Sequence, residues 1–474
     1  PAFFERLSSM GVPFIGAITD RTFVVQPTFE AFRKSLIDSP TPINALADLG
    51  WGVLDANVQV CAFTTGPDPI EMCAFVDARE LEDKATAILP QSSQWLWRTR
   101  ETFGRLPRQV LAYGIPNEIL ELYRNCEPLD ALSVLPRGLG SNKAERTFRA
   151  WVEVLPEQTG PGGRWAHLAN GGDFSPFWRE DLGVTDWRAT NGFQWTEMTS
   201  SDPWRPYYQS GTDQYFLKGL SFPKQSSRFH VSPLPSGFVP TREGKAILFD
   251  SKSDLLPMMA LLNSGVIGSI VRDTCGLHKQ GKAIGSIPIP KLGCATKELL
   301  GEKALLISRR IRQTYFSDET SRYFILPAEL NTVHQDFNKE EIERALGEIE
   351  GTVRAKVKLT AEVEQWLDGP AQPVPFVPSN DDTLMWAAGV AFGRFDWRLA
   401  TGERGIPPEQ ELFAKVPAIS PGMLPDGAEP YHAHSGILVD DQGHRHDFAR
   451  LIEEVLVLVE APMPVDVRDR KSVV

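Results

Sequence analysis

Glycine, proline and aromatic residues crowd the middle of this chain and limit what it can fold into. From about residue 131 to 300 turn-formers recur every few positions, and Trp165, Trp178, Trp187, Trp195 and Trp204 fall within 40 residues. Glycine supplies turns and proline removes a backbone donor, so this composition favours short strands joined by loops. Trp151–Leu155 and Ala246–Phe249 are such strand candidates. The ordinary role of the aromatics is packing in a small β-rich unit. Stacking on unpaired bases is the more specific reading.

The flanking segments differ. Gly11 to Thr64 reads as alternating β and α units. Phe14–Ile18 and Thr22–Val25 are apolar, strand-like runs, and Pro27 with Thr28 opens a helix reaching about Ile37 with Phe29, Phe32, Leu36 and Ile37 on one face. Ile43–Leu49 and Val58–Phe63 are strands around a Gly50-Trp-Gly52 turn, and Met72–Val76 is expected as the hairpin partner of the second. Glu80–Leu89 and Asn117–Tyr123 read as short helices. Leu255–Ile270 reads as an apolar helix pausing at Asn263-Ser-Gly265. Lys297–Phe316 is a basic helix, and Glu340–Leu367 an amphipathic stretch broken near Gly351. Gly369–Pro378 is a Pro-rich connector, followed by an apolar helix over Thr383–Phe392 and an acidic helix ending near Glu460.

The fold class expected is therefore α/β: the terminal part of a doubly wound sheet, then a mixed α+β region, then a helical C-terminal region. The expected divisions are 1–125, 126–295, a helical connector at 296–378, and 379–468, with 469–474 read as an artefact tail. Both ends read as truncated.

Charge is unevenly spread. The net charge is −12, yet residues 329–474 hold 26 acidic against 14 basic side chains and account for all of it. Residues 268–312 carry nine Lys or Arg against three acids. Local basic patches, rather than the sum, govern attraction to phosphate. No run of 18 apolar residues is present, so no membrane span is expected. The five cysteines are scattered and form no CxxC pair, which fits a reducing cytoplasm and supports neither a zinc site nor a disulfide framework.

Motifs for self-contained chemistry are missing. There is no GxxxxGK[ST] loop, and Gly138-Leu-Gly140 lacks the third glycine and the preceding strand of a dinucleotide fingerprint. His432, His434, His444 and His446 form two HxH pairs, better read as a solvated loop than as a metal site. Asp381-Asp382 and Asp440-Asp441 look structural, and Ser264 has no GxSxG setting.

What remains is an ordered set of patterns: Pro136-Arg-Gly-Leu-Gly-Ser-Asn-Lys143 leading into Arg146–Val154, Asn170–Trp178 with its Gly171-Gly172 step, Tyr215-Phe-Leu-Lys-Gly-Leu220, Leu261-Leu-Asn-Ser-Gly265, and Gly281–Pro290. Upstream stand Phe32-Arg33, Asp48-Leu-Gly50, Gly52-Val-Leu-Asp-Ala56 and Val58–Phe63. Downstream are Pro421-Gly-Met-Leu424 and Gly436–Asp441. In this order they resemble adenine-specific DNA methyltransferases of the Eco57I-like class, including the large methyltransferases of BREX phage-defence systems. The resemblance spans nearly the whole chain, but the family's cofactor-binding glycines and Asn-Pro-Pro-Tyr motif are absent, and they are expected upstream of Pro1.

The resemblance implies the DNA-sequence-recognition portion of a site-specific adenine-N6 DNA methyltransferase of a restriction-modification or phage-defence system. The intact protein would move a methyl group from S-adenosylmethionine to an adenine flipped out of the duplex. The cofactor would be held outside this chain, leaving the chain alone inactive and only weakly DNA-binding. The partners implied are double-stranded DNA and other defence-system subunits. Leu54 stands where relatives carry Phe, as an apolar wall near the flipped base. Three groups are the candidate DNA contacts: Arg137, Lys143, Arg146 and Arg149, with Gly138 and Gly140 admitting a phosphate and Asn142 an adenine edge; Lys218, Lys224 and Arg228; and Lys279 and Lys282. Asn263 and Ser264 are expected to cap and break a helix. The competing reading is a non-catalytic specificity subunit docking on a separate catalytic partner. A third, a carbohydrate- or nucleotide-modifying α/β enzyme, lacks a self-contained site.

Overall fold

The computed structural model describes residues 2–55, 57–67, 71–140, 148–160, 162–187, 212–251, 254–331, 338–377, 382–432 and 439–462. Within them the chain is a mixed α/β structure with a five-stranded sheet, two four-stranded sheets and a helical layer.

The first sheet comprises β1 (Ile15–Asp20), β2 (Ile43–Gly50), β3 (Val60–Thr65), β4 (Met72–Asp77) and β5 (Leu96–Thr99), in the order β1-β3-β2-β4-β5. Alternation along the strands sends Leu46, Cys61, Phe63, Cys73 and Phe75 into the main core. Ala47, Leu49, Val60 and Val76 go to a thinner cluster on the other face. The helix Glu30–Asp38 covers the main-core face with Phe32, Leu36 and Ile37, as its periodicity predicts. On the opposite face Ile18 and Trp97 remain exposed, at 64% and 59%.

Several expectations are corrected here. Only β2 and β4 run parallel, and the remaining ladders of this sheet are antiparallel, so the doubly wound character is limited to one strand pair. The Met72–Val76 run is not the hairpin partner of β3. Both edges of β3 are taken by β1 and β2, leaving β4 to pair with the outer edge of β2. Thr22–Val25 is not a strand: the Asp20 carboxylate accepts from the Thr22 amide and starts a 3-10 turn over Arg21–Val24. The Glu80–Leu89 helix shrinks to Lys84–Ala87.

The middle of the chain folds as short strands. β6 (Glu127–Pro128) and β7 (Ser133–Val134) lead to β8 (Phe148–Ala150), β9 (Trp165–Ala169) and β10 (Gly183–Asp186), then β11 (Gly219–Pro223), β12 (Ser232–Leu234), β13 (Phe238–Pro240) and β14 (Gly244–Phe249). β7 to β14 form sheets of order β13-β9-β10-β8 and β12-β11-β14-β7, and β6 pairs separately with Pro288–Ile289. The expected strand at Trp151–Leu155 lies earlier, in β8. The Glu153 carboxylate caps the Ala150 amide at 2.6 Å and turns Trp151–Glu153 into a 3-10 turn. Trp178 and Trp187 are buried, so they pack rather than stack on bases; Trp195 and Trp204 lie outside the described residues.

The apolar run at 255–270 is two helices, Leu255–Leu262 and Gly265–Cys275, bent by 65°. Asn263 and Ser264 make the break. The Asn263 amide donates to and accepts from the Val231 backbone, at 2.9 Å each, standing in for a neighbouring strand. Ser264 Oγ accepts from the Ile267 amide as the cap of the second helix. No single helix among the described residues is long and apolar enough to cross a membrane. Cys294–Thr314 packs against Leu255–Leu262 and Lys339–Arg354. The latter helix runs through Gly351. Its end comes at Arg354, and Thr360 caps the next helix, Ala361–Trp366. The largest apolar cluster extends from Phe23 to Leu456.

A buried polar junction ties the middle sheets to residues 318–325. The Glu180 carboxylate accepts from Ser321 Oγ at 2.6 Å and from the Arg322 amide at 2.5 Å. The Trp151 indole donates to the Thr320 carbonyl, and the Arg322 guanidinium lies over the Trp151 ring. Burial pushes the Glu180 carboxyl up to about 7, partly offset by the donors of Ser321 and Arg322. The folded protein thus prefers Glu180 protonated. That contribution is complete below the ordinary carboxyl range and is lost as pH rises through about 7. Because Glu180 keeps some solvent contact, the expected loss of stability between pH 5 and pH 8 is on the order of 1–2 kcal/mol. Urea melts at both pH values should give a smaller drop for Glu180→Gln; parallel profiles would refute the assignment.

Candidate nucleic-acid interface

A cleft of about 830 Å³ opens between residues 26–30 and 108 on one side and the middle sheets on the other. Six cations line it: Arg108, Arg137, Lys224, Arg242, Lys245 and Lys282. Glu30 and Asp130 are the acids at its wall. A concave surface of one dominant sign concentrates field lines and attracts a polyanion.

Each cation is placed by a backbone that is itself held. The buried Arg33 guanidinium donates to the carbonyls of Phe23, Gln26, Arg108 and Gln109, at 2.7 to 3.1 Å. Burial lowers its pKa to about 10. Arg108 and Gln109 both have left-handed backbones, with φ of 54° and 50°, conformations that non-glycine residues adopt at a cost. Arg33 captures the carbonyls of this strained turn, and the Arg108 side chain then donates to the Lys282 carbonyl at 2.7 Å. Arg137 is exposed, and its carbonyl accepts from the Tyr215 hydroxyl. Arg242 lies in the turn between β13 and β14, its amide donating to Leu139. Lys224 closes β11 and pairs with Glu243 at 2.8 Å. Lys245, in β14, has its pKa lowered by burial and by the nearby Lys224.

Arg137, Lys224 and Lys282, one from each group expected from sequence, therefore meet in one place. Sequence reasoning missed Arg108, Arg242 and Lys245. The last two flank Gly244 in a basic turn between apolar strands, a readable signal. Arg108 had none, because only its left-handed turn carries it to the cleft.

The other candidates fall elsewhere. Gly138 is buried, and a Cβ there would stand 1.9 Å from the Thr241 carbonyl oxygen; it permits a close backbone crossing rather than the approach of a phosphate. Gly140 is likewise buried. Lys279 was expected at the surface but is buried. Its ammonium donates to the carbonyls of Ser226 and Leu277, and burial lowers its pKa to about 8. Arg228 donates to the Gly369 carbonyl and lines a separate cavity of about 310 Å³. Arg149 donates to the Phe148 carbonyl in β8, and neither it nor the half-buried Lys218 lines the cleft. Leu54 is exposed in the loop after β2, away from the cleft lining. Asn142, Lys143 and Arg146 lie outside the described residues, as does His434. His432 is held by the Leu451 carbonyl and lies 3.6 Å from the Glu454 carboxylate.

No family model matches the chain, and no curated protein matches it. Among solved structures it is similar to the Type IIL restriction-modification enzyme MmeI in complex with DNA, at 11% identity over 74% of this chain and 48% of that one, with a TM-score of 0.48. It is also similar to the type IIG restriction endonuclease BpuSI, at 15% identity over 72% of this chain and 47% of that one, with a TM-score of 0.29. The chain spans about half the length of each.

Proposed function

We propose that this chain is the DNA-recognition portion of a site-specific adenine-N6 DNA methyltransferase of the restriction-modification or phage-defence kind, acting in the cytoplasm, and that its basic cleft grips the phosphates of duplex DNA. One observation carries the reading. Cations drawn from five separate stretches of sequence converge on one concave surface in a chain whose net charge is −12. Phosphate neutralisation by such a surface releases counterions and supplies affinity without regard to sequence.

S-adenosylmethionine is the proposed methyl donor of the intact enzyme, but the lining of this cleft does not fit it. Its sulfonium is a cation, and the lining of this cleft is cationic. No step of the reaction is assigned to residues of this chain. Their role is to hold the duplex in register while bases are read.

A second reading, a non-catalytic subunit docking on a separate catalytic partner, draws on the exposed apolar residues around the first sheet: Ile18, Trp51, Leu54 and Trp97. Methyl transfer by the full gene product without an added catalytic partner would exclude it.

The test of the main reading is binding of a labelled 30-bp duplex, titrated against salt. The logarithm of the binding constant should fall linearly with the logarithm of salt concentration, with a slope of up to about −5 if all six cations engage phosphate. A folded protein that binds no duplex at low salt would sink the reading.

A further inference from the structure

Among the cations of the cleft stand two primary amides, Gln26 and Gln280. Both are half-buried, and neither side chain has a hydrogen-bond partner among the described residues. An amide that is partly withdrawn from water and left unpaired is free for a ligand.

Gln280 is the more firmly mounted. The preceding Lys279 is buried, with its ammonium on two carbonyls and its amide donating to the Lys224 carbonyl at 2.6 Å. His278 bridges to Gln225. The Gln280 carbonyl accepts from the amides of Ala283 and Ile284, and Arg108 holds the Lys282 carbonyl. The backbone around Gln280 is thus fixed from both sides, and the exposed Lys282 ammonium lies two residues away. A fixed backbone, an unpaired amide and a neighbouring phosphate-binding cation are what direct reading of a base requires. A glutamine amide presents one donor and one acceptor, and this pair matches N7 and the N6 amino group of adenine in the major groove.

We propose that Gln280 is a specificity-determining residue that reads the major-groove edge of an adenine in the recognition sequence. The proposal rests on the reading of the cleft as a DNA interface.

The test is selection from a randomised duplex library by the wild-type chain, by Gln280→Ala and by Gln280→Glu. Because the Gln280 side chain makes no hydrogen bond to the described residues, both variants should melt with the wild type. The wild type is expected to enrich a motif containing an adenine at which Gln280→Ala loses its preference. Gln280→Glu, which can only accept, is expected to favour cytosine there through its N4 amino group. Replacing that adenine by 7-deazaadenine should weaken wild-type binding about 10-fold and leave Gln280→Ala unchanged. Two results would overturn the proposal: identical motifs from all three proteins, or a wild type that binds duplex and enriches no motif. Loss of duplex binding altogether would instead overturn the reading of the cleft.

Discussion

Replacing Arg137, Arg242 and Lys282 together by alanine is expected to weaken duplex binding by on the order of 100-fold at ~100 mM salt and to reduce the salt slope by about 3. These three are chosen for what the other cations of the cleft do. Lys224 is paired with Glu243, Lys245 lies within β14, and Arg108 supports the Lys282 carbonyl. Removing them would disturb the fold as well as the surface. Arg137, Arg242 and Lys282 are placed through backbone bonds that alanine retains: the Tyr215 hydroxyl to the Arg137 carbonyl, the Arg242 amide to Leu139, and Arg108 to the Lys282 carbonyl. Alanine at Lys339, Arg344 and Lys358, exposed in the acidic helical region, serves as the control and should change affinity less than about twofold. Equal losses from the two triple variants would mean that charge acts at long range and that the cleft has no special role.

The largest effect on stability is expected from Arg33→Met. Methionine fills similar volume but takes the guanidinium donor from the carbonyls of Phe23, Arg108 and Gln109, and leaves the Gln26 carbonyl only the Phe29 amide, in a region where water replaces it poorly. Hydrogen bonds to a charged group contribute about 1.5–3 kcal/mol each, and stranding several buried acceptors together should cost about 4 kcal/mol. The left-handed turn at Arg108 and Gln109 should relax once its carbonyls are released, moving Arg108 out of the cleft. Denaturant unfolding would show a lower midpoint, and the fraction still folded would bind duplex more weakly than wild type. A midpoint within ~1 kcal/mol of wild type would show that the turn holds itself.

Local physics carried much of the sequence reading. The helix Glu30–Asp38, which follows a 3-10 turn at Pro27–Phe29, buries Phe32, Leu36 and Ile37, and Ala246–Phe249 is a strand, because side-chain periodicity reports which face meets the core. Asn263 and Ser264 break their helix as expected of side chains that compete for backbone groups. The errors came where the outcome depended on distant partners. β4 joins β2 because β3 has no free edge, and Gly351 stays helical because its neighbours Ile349 and Val353 are buried in the core. Lys279 reads as a surface cation beside Lys282, yet carbonyls from residues 226 and 277 draw it inward.

By itself the sequence determined the class of the fold, the position of most helices and the presence of basic residues in three separated groups. These follow from propensity and alternation within a few residues of each site. Only the tertiary structure decided that Arg137, Lys224 and Lys282 face one cleft, that Arg108, Arg242 and Lys245 join them, and that Gly138 serves a backbone crossing. Those outcomes depend on hydrogen bonds between residues many tens of positions apart, such as Arg33 to Arg108 and Arg108 to Lys282. Chain closure over such spans is set by the packed core as a whole, which no local pattern encodes.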